Sequence, residues 1–455
     1  MFEWVRSTLL RIFGQQSTDL VVSPTMQSLI QRWAELYEGP GCDPLRLPAG
    51  IASEFARLVV LESEIKLSGV RGEWLDEQLI PFRRSLRANV EYACALGGVV
   101  FKPYVVDNGL AVDVVQADAF FPTSFDTSGR LVGAVFVEQI IRGGRIYTRL
   151  ESHEFAAGHE TIENKAFCSS TASTLGGEVA LGEVEEWADI TPSIKINDID
   201  RPTFAYFRIP LANNRDRRSP LGVSVFANAV DTIAQAGEQY GRLLWEYEGG
   251  QMAIDVDESA VRKSEDGSVK LDQREQRLYR RSLNLIGSNG QSLYSAFAPA
   301  LRDGSYLAGL DDILKKIEWQ CSLSYGTLSN PASIAKTATE VRASKQRSYA
   351  AVSDIQAALQ SACDDLLHAM DVLAKMYGLG PAGDYEVSYQ WHDSVLTDEE
   401  TARQMDRDDA LNGFVPKWRY NMDWRGMSED EARAAVAEAA GEVPDPYGFD
   451  MGGGT

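Results

Sequence analysis

The chain has 455 residues, 44% of them hydrophobic, with 66 acidic and 44 basic side chains and a formal charge of −22. That length gives room for two to four structural units and a sizeable core, and the composition excludes wholesale disorder. So acidic a chain disfavours tight, nonspecific wrapping of nucleic acid, leaving only DNA contacts that are local or weak.

The N-terminal "MFEWVRSTLLRIFGQQ" places Phe2, Val5, Leu9, Ile12 and Phe13 on one side. It reads as a docking helix in preference to a membrane-surface segment, its apolar run being too broken for a signal sequence. Ser23 and Pro24 offer an N-cap and a first-turn proline for a helix through "TMQSLIQRWAELYEG", which Gly39 ends. A second helix follows Pro48 through "IASEFARLVVLES". A third covers "WLDEQLIPFRRSLRANVEYACAL", kinked at Pro81 and stopped at Gly97 and Gly98.

From Val99 the apolar period falls from about 3.6 to about 2. "VVFKPYV", "LAVDVVQA", "VGAVFVEQII", "RIYTRLES" and "PTFAYFRIP" are separated by Asn-Gly, Ser-Gly and Gly-Gly, which predicts an antiparallel, hairpin-rich section up to residue 210. Beyond the charged loop "NNRDRR", Ser219 and Pro220 look like the cap and first turn of a helix closing at Gly249 and Gly250. Residues 251–305 read as a mixed insert: a strand at "MAIDV", a turn at "SEDGS", a helix at "QREQRLYRRSL", then polar loop. A helix from Leu307 to Ser324 follows, then the loop in "YGTLSNPASIAKTATEV". The longest helical pattern comes next, in register through Val352, Ile355, Leu359, Ala362, Leu366, Met370, Leu373 and Tyr377. After a strand at "YEVSYQW", "TDEETARQMDRDDALNG" and "SEDEARAAVAEAAGE" each carry a capping box. The tail "VPDPYGFDMGGGT" has too little apolar surface to offset its ordering entropy and is expected to be mobile.

The loop containing Ala335-Lys336-Thr337 invites a phosphate-binding reading, but Asn330 and Ala335 stand where a Walker loop needs glycines, and a helix precedes it where a strand is required. "HEFAAGHE", residues 153–160, lacks the i, i+4 histidine spacing of a helical zinc site and reads as surface polar residues in a hairpin. The pairs Asp311-Asp312 and Asp364-Asp365 read as solvated helix faces. Five separated cysteines without a CxxC pair indicate neither disulfides nor zinc, and fit a reducing compartment. No cofactor is implied. Basic clusters stand at Arg215-Arg217-Arg218, at Arg274, Arg277, Arg280 and Arg281, and at Lys336-Arg342-Lys345-Arg347. Each divides evenly between a phosphate- or partner-facing surface and a solvated face.

The order of these parts, with the long helix after "SPLGVSVFANAVDTIAQAGEQYGRLLWEY" and the very long one beginning "KTATEVRASKQRSY", resembles the portal proteins of tailed bacteriophages with long noncontractile tails. "VVFKPYV" after a double glycine and "ADAFFPTSFDTSGR" are similar to the same family's N-terminal half. The resemblance spans residues 25 to 440. It implies an α+β, portal-type ring subunit with wing, helical stem, small α/β clip and helical crown, usually in a ring of twelve around a DNA channel. The wing would be 1–210 plus a strand at 384–395, the stem helices 219–248 and 306–324, and the clip 249–305. A tunnel loop would be 325–336, a long kinked helix 337–378, the crown 397–441 and a flexible tail 442–455. Lys315, Lys316 and Lys336 become channel-facing candidates, with Leu328, Ser329 and Asn330 at the loop tip; Lys315 and Lys316 have the alternative of pairing with Asp311 and Asp312 on their own helix. Arg274, Arg277, Arg280 and Arg281 become candidates for partner docking.

The implied partners are further copies of the chain, sliding double-stranded DNA, the terminase large subunit, major capsid and scaffolding proteins and a head-to-tail adaptor, with no membrane. The implied setting is the portal vertex of a virion assembled in the host cytoplasm, and the implied role is not enzymatic. A metal-dependent hydrolase or nucleotidyl enzyme using "HEFAAGHE" or the acidic pairs is one alternative. A different head-to-tail connector ring is another, although those are generally shorter and lack the stem-clip-stem order.

Overall fold

The computed structural model describes residues 22–39, 44–61, 63–171, 174–250, 253–257, 279–282, 294–297, 300–331, 338–391 and 399–441. The expected docking helix, the turn at "SEDGS", Arg274, Arg277, Lys336 and the tail lie outside them. The chain divides into two compact units at Gln390 and Trp391.

The first unit opens on α1 (Pro24–Glu38), whose cap forms as its sequence demands: the Ser23 hydroxyl accepts from the Met26 N–H at 3.0 Å, and Gly39 takes the left-handed conformation at the other end. α2 (Leu47–Val60) stops short of the predicted end because "EIKL" alternates at period two. Those residues form β1 (Ser63–Ser68), burying Ile65 and Leu67. α3 (Val70–Gln78) and α4 (Ile80–Leu96) replace the single kinked helix: Pro81 sits in the first turn of α4, where its missing N–H leaves no bond unmade.

β2 (Gly98–Val106) is flanked by β3 (Gly109–Gln116) and β10 (Ala205–Arg208) in one antiparallel sheet. A second sheet runs β4 (Phe120–Phe125), β5 (Leu131–Arg142), β6 (Arg145–Ala156), β7 (His159–Ser169) and β8 (Gly177–Val179), with β9 (Ser193–Asn197) also on β7. The predicted strands are all present; β4, with a register shift after Pro122, and β7 to β9 add to them. Val100, Phe120, Leu131, Phe136 and Phe204 share a core cluster that joins the two sheets. Phe82 packs edge-on against Phe101 at 4.9 Å and so seats α4 on β2.

Ser219 and Pro220 do not start a helix. The segment after them runs without regular structure, burying Leu221, Val223, Val225 and Phe226. Its Val225 N–H bonds to the Cys94 carbonyl at 2.9 Å. Burial of these alternate apolar residues against the end of α4 outweighs the local cap signal. α5 therefore begins only at Val230 and runs to Gly249.

In the insert, β11 (Ala253–Asp257) lies parallel to β12 (Tyr279–Ser282) and antiparallel to β13 (Tyr294–Phe297). Arg280 and Arg281 therefore sit on a strand, where "QREQRLYRRSL" reads as helix, and part of the predicted polar loop is also a strand. Over Tyr279–Ser282 strand pairing overrides the local helical signal, and the part of that predicted helix before residue 279 lies outside the described residues.

α6 (Asp303–Gln320) leads through the loop to α7 (Ala338–Met376), a 39-residue helix. Val352, Ile355, Leu359, Ala362, Leu366, Met370 and Leu373 are all buried, as their spacing predicts, where α7 packs on β2 and β10, whereas Tyr377, the last of the predicted series, follows the helix end and is exposed. β14 (Glu386–Trp391) then pairs with β1.

The second unit holds α8 (Glu399–Asn412), α9 (Lys417–Arg425) and α10 (Glu429–Gly441); α9 was not legible as a separate helix. Ahead of α10 the capping box closes both ways, Ser428 N–H to Glu431 at 3.0 Å and Glu431 N–H to the Ser428 hydroxyl at 3.4 Å.

Candidate nucleic-acid interface

The loop after α6 is tied to that helix by carboxylates. The Gly326, Leu328 and Ser329 N–H groups donate to Glu318 Oε1 at 3.1, 2.6 and 2.8 Å, and the Ser329 hydroxyl donates to Oε2 at 2.8 Å. Asn330 N–H donates to Asp311 Oδ1 at 2.7 Å. From the other side, buried Ser348 of α7 meets the Ser324 hydroxyl at 2.8 Å, and the Arg347 guanidinium lies 5.7 Å from the Tyr325 ring centre. Glu318 is 0% exposed, so its charge is balanced by the four donors rather than by water.

The sequence candidates are placed unevenly. Ser329 is 4% exposed with its hydroxyl turned onto Glu318, so it is not an open loop tip; Leu328 is half-buried and Asn330 exposed. Lys315 pairs with Asp311 at 2.8 Å along its own helix, while Lys316 is exposed. Glu318 was missed by sequence reasoning. Its signal was available: a glutamate beside Ile317, in register with the apolar stripe of α6 and within the last turn of the helix.

α5 and α6 form an antiparallel pair. Gln239 donates to the Tyr306 carbonyl at 3.2 Å, and Arg302 closes the far end on Glu246 at 2.7 Å. Little of the pair is internal, and Leu244, Trp245, Tyr247, Leu307 and Trp319 are exposed.

The residues of "HEFAAGHE" do form a hairpin, turning at Ala157 and Gly158, but His153 and Glu160 are buried rather than on the surface. His153 Nδ1 meets Glu160 and Nε2 meets Glu151, each at 2.8 Å. Lys102 of β2 reaches Glu151 at 2.8 Å, as does Arg149, and the Thr203 N–H reaches Glu160 at 2.8 Å. Both imidazole nitrogens and the carboxylates are thus engaged in a network that ties one sheet to the other, and among the described residues no group of three or more His, Cys, Asp or Glu is placed to hold a metal. Burial alone would lower the His153 pKa, but its bonds to Glu151 and Glu160 outweigh this and push it up to about 9. Relative to an unfolded value of about 6.5, the stability this adds is complete below that pH and is lost as pH rises through about 9. The melting temperature of the chain is therefore expected to fall more steeply between pH 7 and pH 10 than that of His153→Gln, in scans of both proteins; parallel curves would show that His153 carries no such charge. The acidic pairs are not simple solvated faces either. Asp365 accepts from Arg201 at 3.1 Å and Asp364 from the Tyr389 hydroxyl at 2.7 Å.

A family model described as phage portal protein, SPP1 Gp6-like, matches residues 81–420. The chain belongs to this portal family. The matched span takes in α5, α6, the loop and α7, and gives the chain a portal role in a phage particle. Among solved structures this portal chain is similar to one titled "Neck of native GTA particle computed with C12 symmetry", at 10% identity and TM-score 0.41, covering 89% of this chain and 92% of that one. It is equally similar to one titled "Virion of native gene transfer agent (GTA) particle", at 10% identity and TM-score 0.41, covering 89% and 99%. No curated protein matches its sequence.

Proposed function

We propose that the chain is one subunit of a twelve-membered ring that conducts double-stranded DNA at one capsid vertex, in packaging, head-to-tail joining and ejection. The observation that carries the ring is the bare apolar surface of the α5–α6 pair. Trp245 is 66% exposed and Trp319 60%, near opposite ends of a two-helix hairpin. Two tryptophans with Leu244, Tyr247 and Leu307 leave large apolar side chains in water along the pair, and neighbouring copies would cover them.

In this reading α5 and α6 are the stem, and residues 1–210 with β14 are the wing, beside major capsid and scaffolding proteins. The insert with Arg280 and Arg281 on β12, and with Arg274 and Arg277 in the same segment, is the clip. It meets the terminase large subunit, which would hydrolyse the ATP, and later the head-to-tail adaptor. α8 to α10 are the crown, and the loop at 325–336 is the tunnel loop, with Asn330, Lys316 and Lys336 toward DNA. The acidic total suits a conduit, because strong phosphate contacts would act as brakes.

The test is the mass of the purified particle in solution. The unaltered chain should give a ring near twelve subunits with an axial hole in images. Trp245→Asp with Trp319→Asp should give folded monomers. Rings from the double variant would remove the stem surface as the assembly face.

A further inference from the structure

All five backbone N–H groups from Gly326 to Asn330 are taken up inside the chain. Three go to Glu318, that of Thr327 goes to the Ser324 carbonyl at 3.2 Å, and that of Asn330 goes to Asp311. Three N–H groups aimed at one carboxylate oxygen, with a hydroxyl on the other, make an anion site of the kind by which loops hold phosphate. Here the chain supplies the anion. The three N–H groups share Oε1 and the Ser329 hydroxyl donates to Oε2, so each of these contacts brings a donor to the carboxylate. Asp311 lies seven residues before Glu318, on the same face of α6, and takes the next amide in the same way.

We propose that Glu318 is a resident anion: its carboxylate fills the anion site in the loop and so keeps DNA phosphates from seating there. This rests on the reading that the loop faces passing DNA. A tethered carboxylate occupies the donors permanently and repels a second anion, so the strand meets a surface whose amides are already satisfied. Removing the carboxylate would expose the donors in roughly their present directions, because Asp311 still holds Asn330 and Ser348 still holds Ser324.

The probe is inorganic phosphate, with chloride at equal ionic strength as the control. In full-length Glu318→Ala, shown folded by circular dichroism, phosphate should give a saturable rise in melting temperature that the unaltered chain lacks. Adding Ser329→Ala, which deletes one donor, should shrink that rise. If the alanine variant does not fold, Glu318→Ser leaves similar room and carries the same measurement. A folded variant that phosphate does not stabilise overturns the resident-anion assignment. In assembled rings, Glu318→Ala should retain DNA more tightly than the unaltered ring at low salt, with free phosphate relieving the difference. A phosphate-dependent melting shift with unchanged DNA retention would keep the anion site and overturn the loop's position in the channel, so the two ideas fail separately.

Discussion

Replacing Arg71 by alanine is expected to lower the unfolding free energy by about 3–5 kcal/mol, the range for removing one member of a buried ion pair. Arg71 is 3% exposed, and its guanidinium makes four hydrogen bonds within the chain. It donates to Asp371 Oδ1 at 3.0 Å and to the Asp371 carbonyl at 3.3 Å, and to the Leu379 and Pro381 carbonyls at 2.6 and 3.1 Å. One side chain on α3 thus fastens the end of α7 and the turn leading into β14. Lys375 would remain on Asp371 at 2.6 Å, but it is largely solvated, so its compensation is partial and the loss should fall nearer about 3 kcal/mol. Urea denaturation measures this directly. Arg71→Met with Asp371→Leu should recover much of the loss, because it leaves no lone buried charge. A loss below about 1 kcal/mol for Arg71→Ala would place the pair among ordinary surface bridges.

The elements best read from sequence are those whose signals are local and redundant. α1 has a serine cap, a first-turn proline and a closing glycine, and α7 carries seven buried residues in unbroken register. The misreadings come where a distant partner decides. "EIKL", left without an assignment, is strand because β14 pairs with it, and "YRRS", read as helix, is strand because β11 does, although β11 precedes it by more than twenty residues. Neither partner is visible to a local window.

The candidate site divides along the same line. Its position between two helices was legible, since the failure of the Walker pattern and the helix before the loop both lie in one short stretch. Its internal chemistry was not. Ser329 reads as a polar loop residue, and only the fold turns it inward onto Glu318. His153 reads as surface polarity because nothing in "HEFAAGHE" announces that Lys102, some fifty residues earlier, supplies the charge that lets Glu151 stay buried. Burial pulls the Glu151 pKa up, and Lys102, then His153 and Arg149, hold it well below the ordinary carboxylate range.

Gly222→Ala is expected to be among the most damaging single-methyl substitutions in the chain, because two glycines meet backbone to backbone. A Cβ on Gly222 would lie 2.0 Å from the Gly97 carbonyl oxygen, and one on Gly97 2.6 Å from the Gly222 oxygen. The Gly97 carbonyl cannot step aside, since it accepts from the Ile209 N–H at 3.0 Å at the end of β10, and Gly97 itself is held in the left-handed region with φ 93 at the close of α4. The segment beyond Gly222 must therefore move, taking Val223, Val225 and Phe226 out of the core and loosening the lead into α5. Overpacking of a well-packed core costs about 1–3 kcal/mol, and a clash with fixed backbone belongs at the top of that range or beyond it. Gly50→Ala is the control: it lies within α2 with open space where a Cβ would go, so the same methyl should raise stability by up to about 1 kcal/mol. Thermal melts of the two variants should move in opposite directions. An unchanged melt for Gly222→Ala would mean that the α4 terminus and the lead into α5 do not meet at this distance, and that α5 is placed by other contacts.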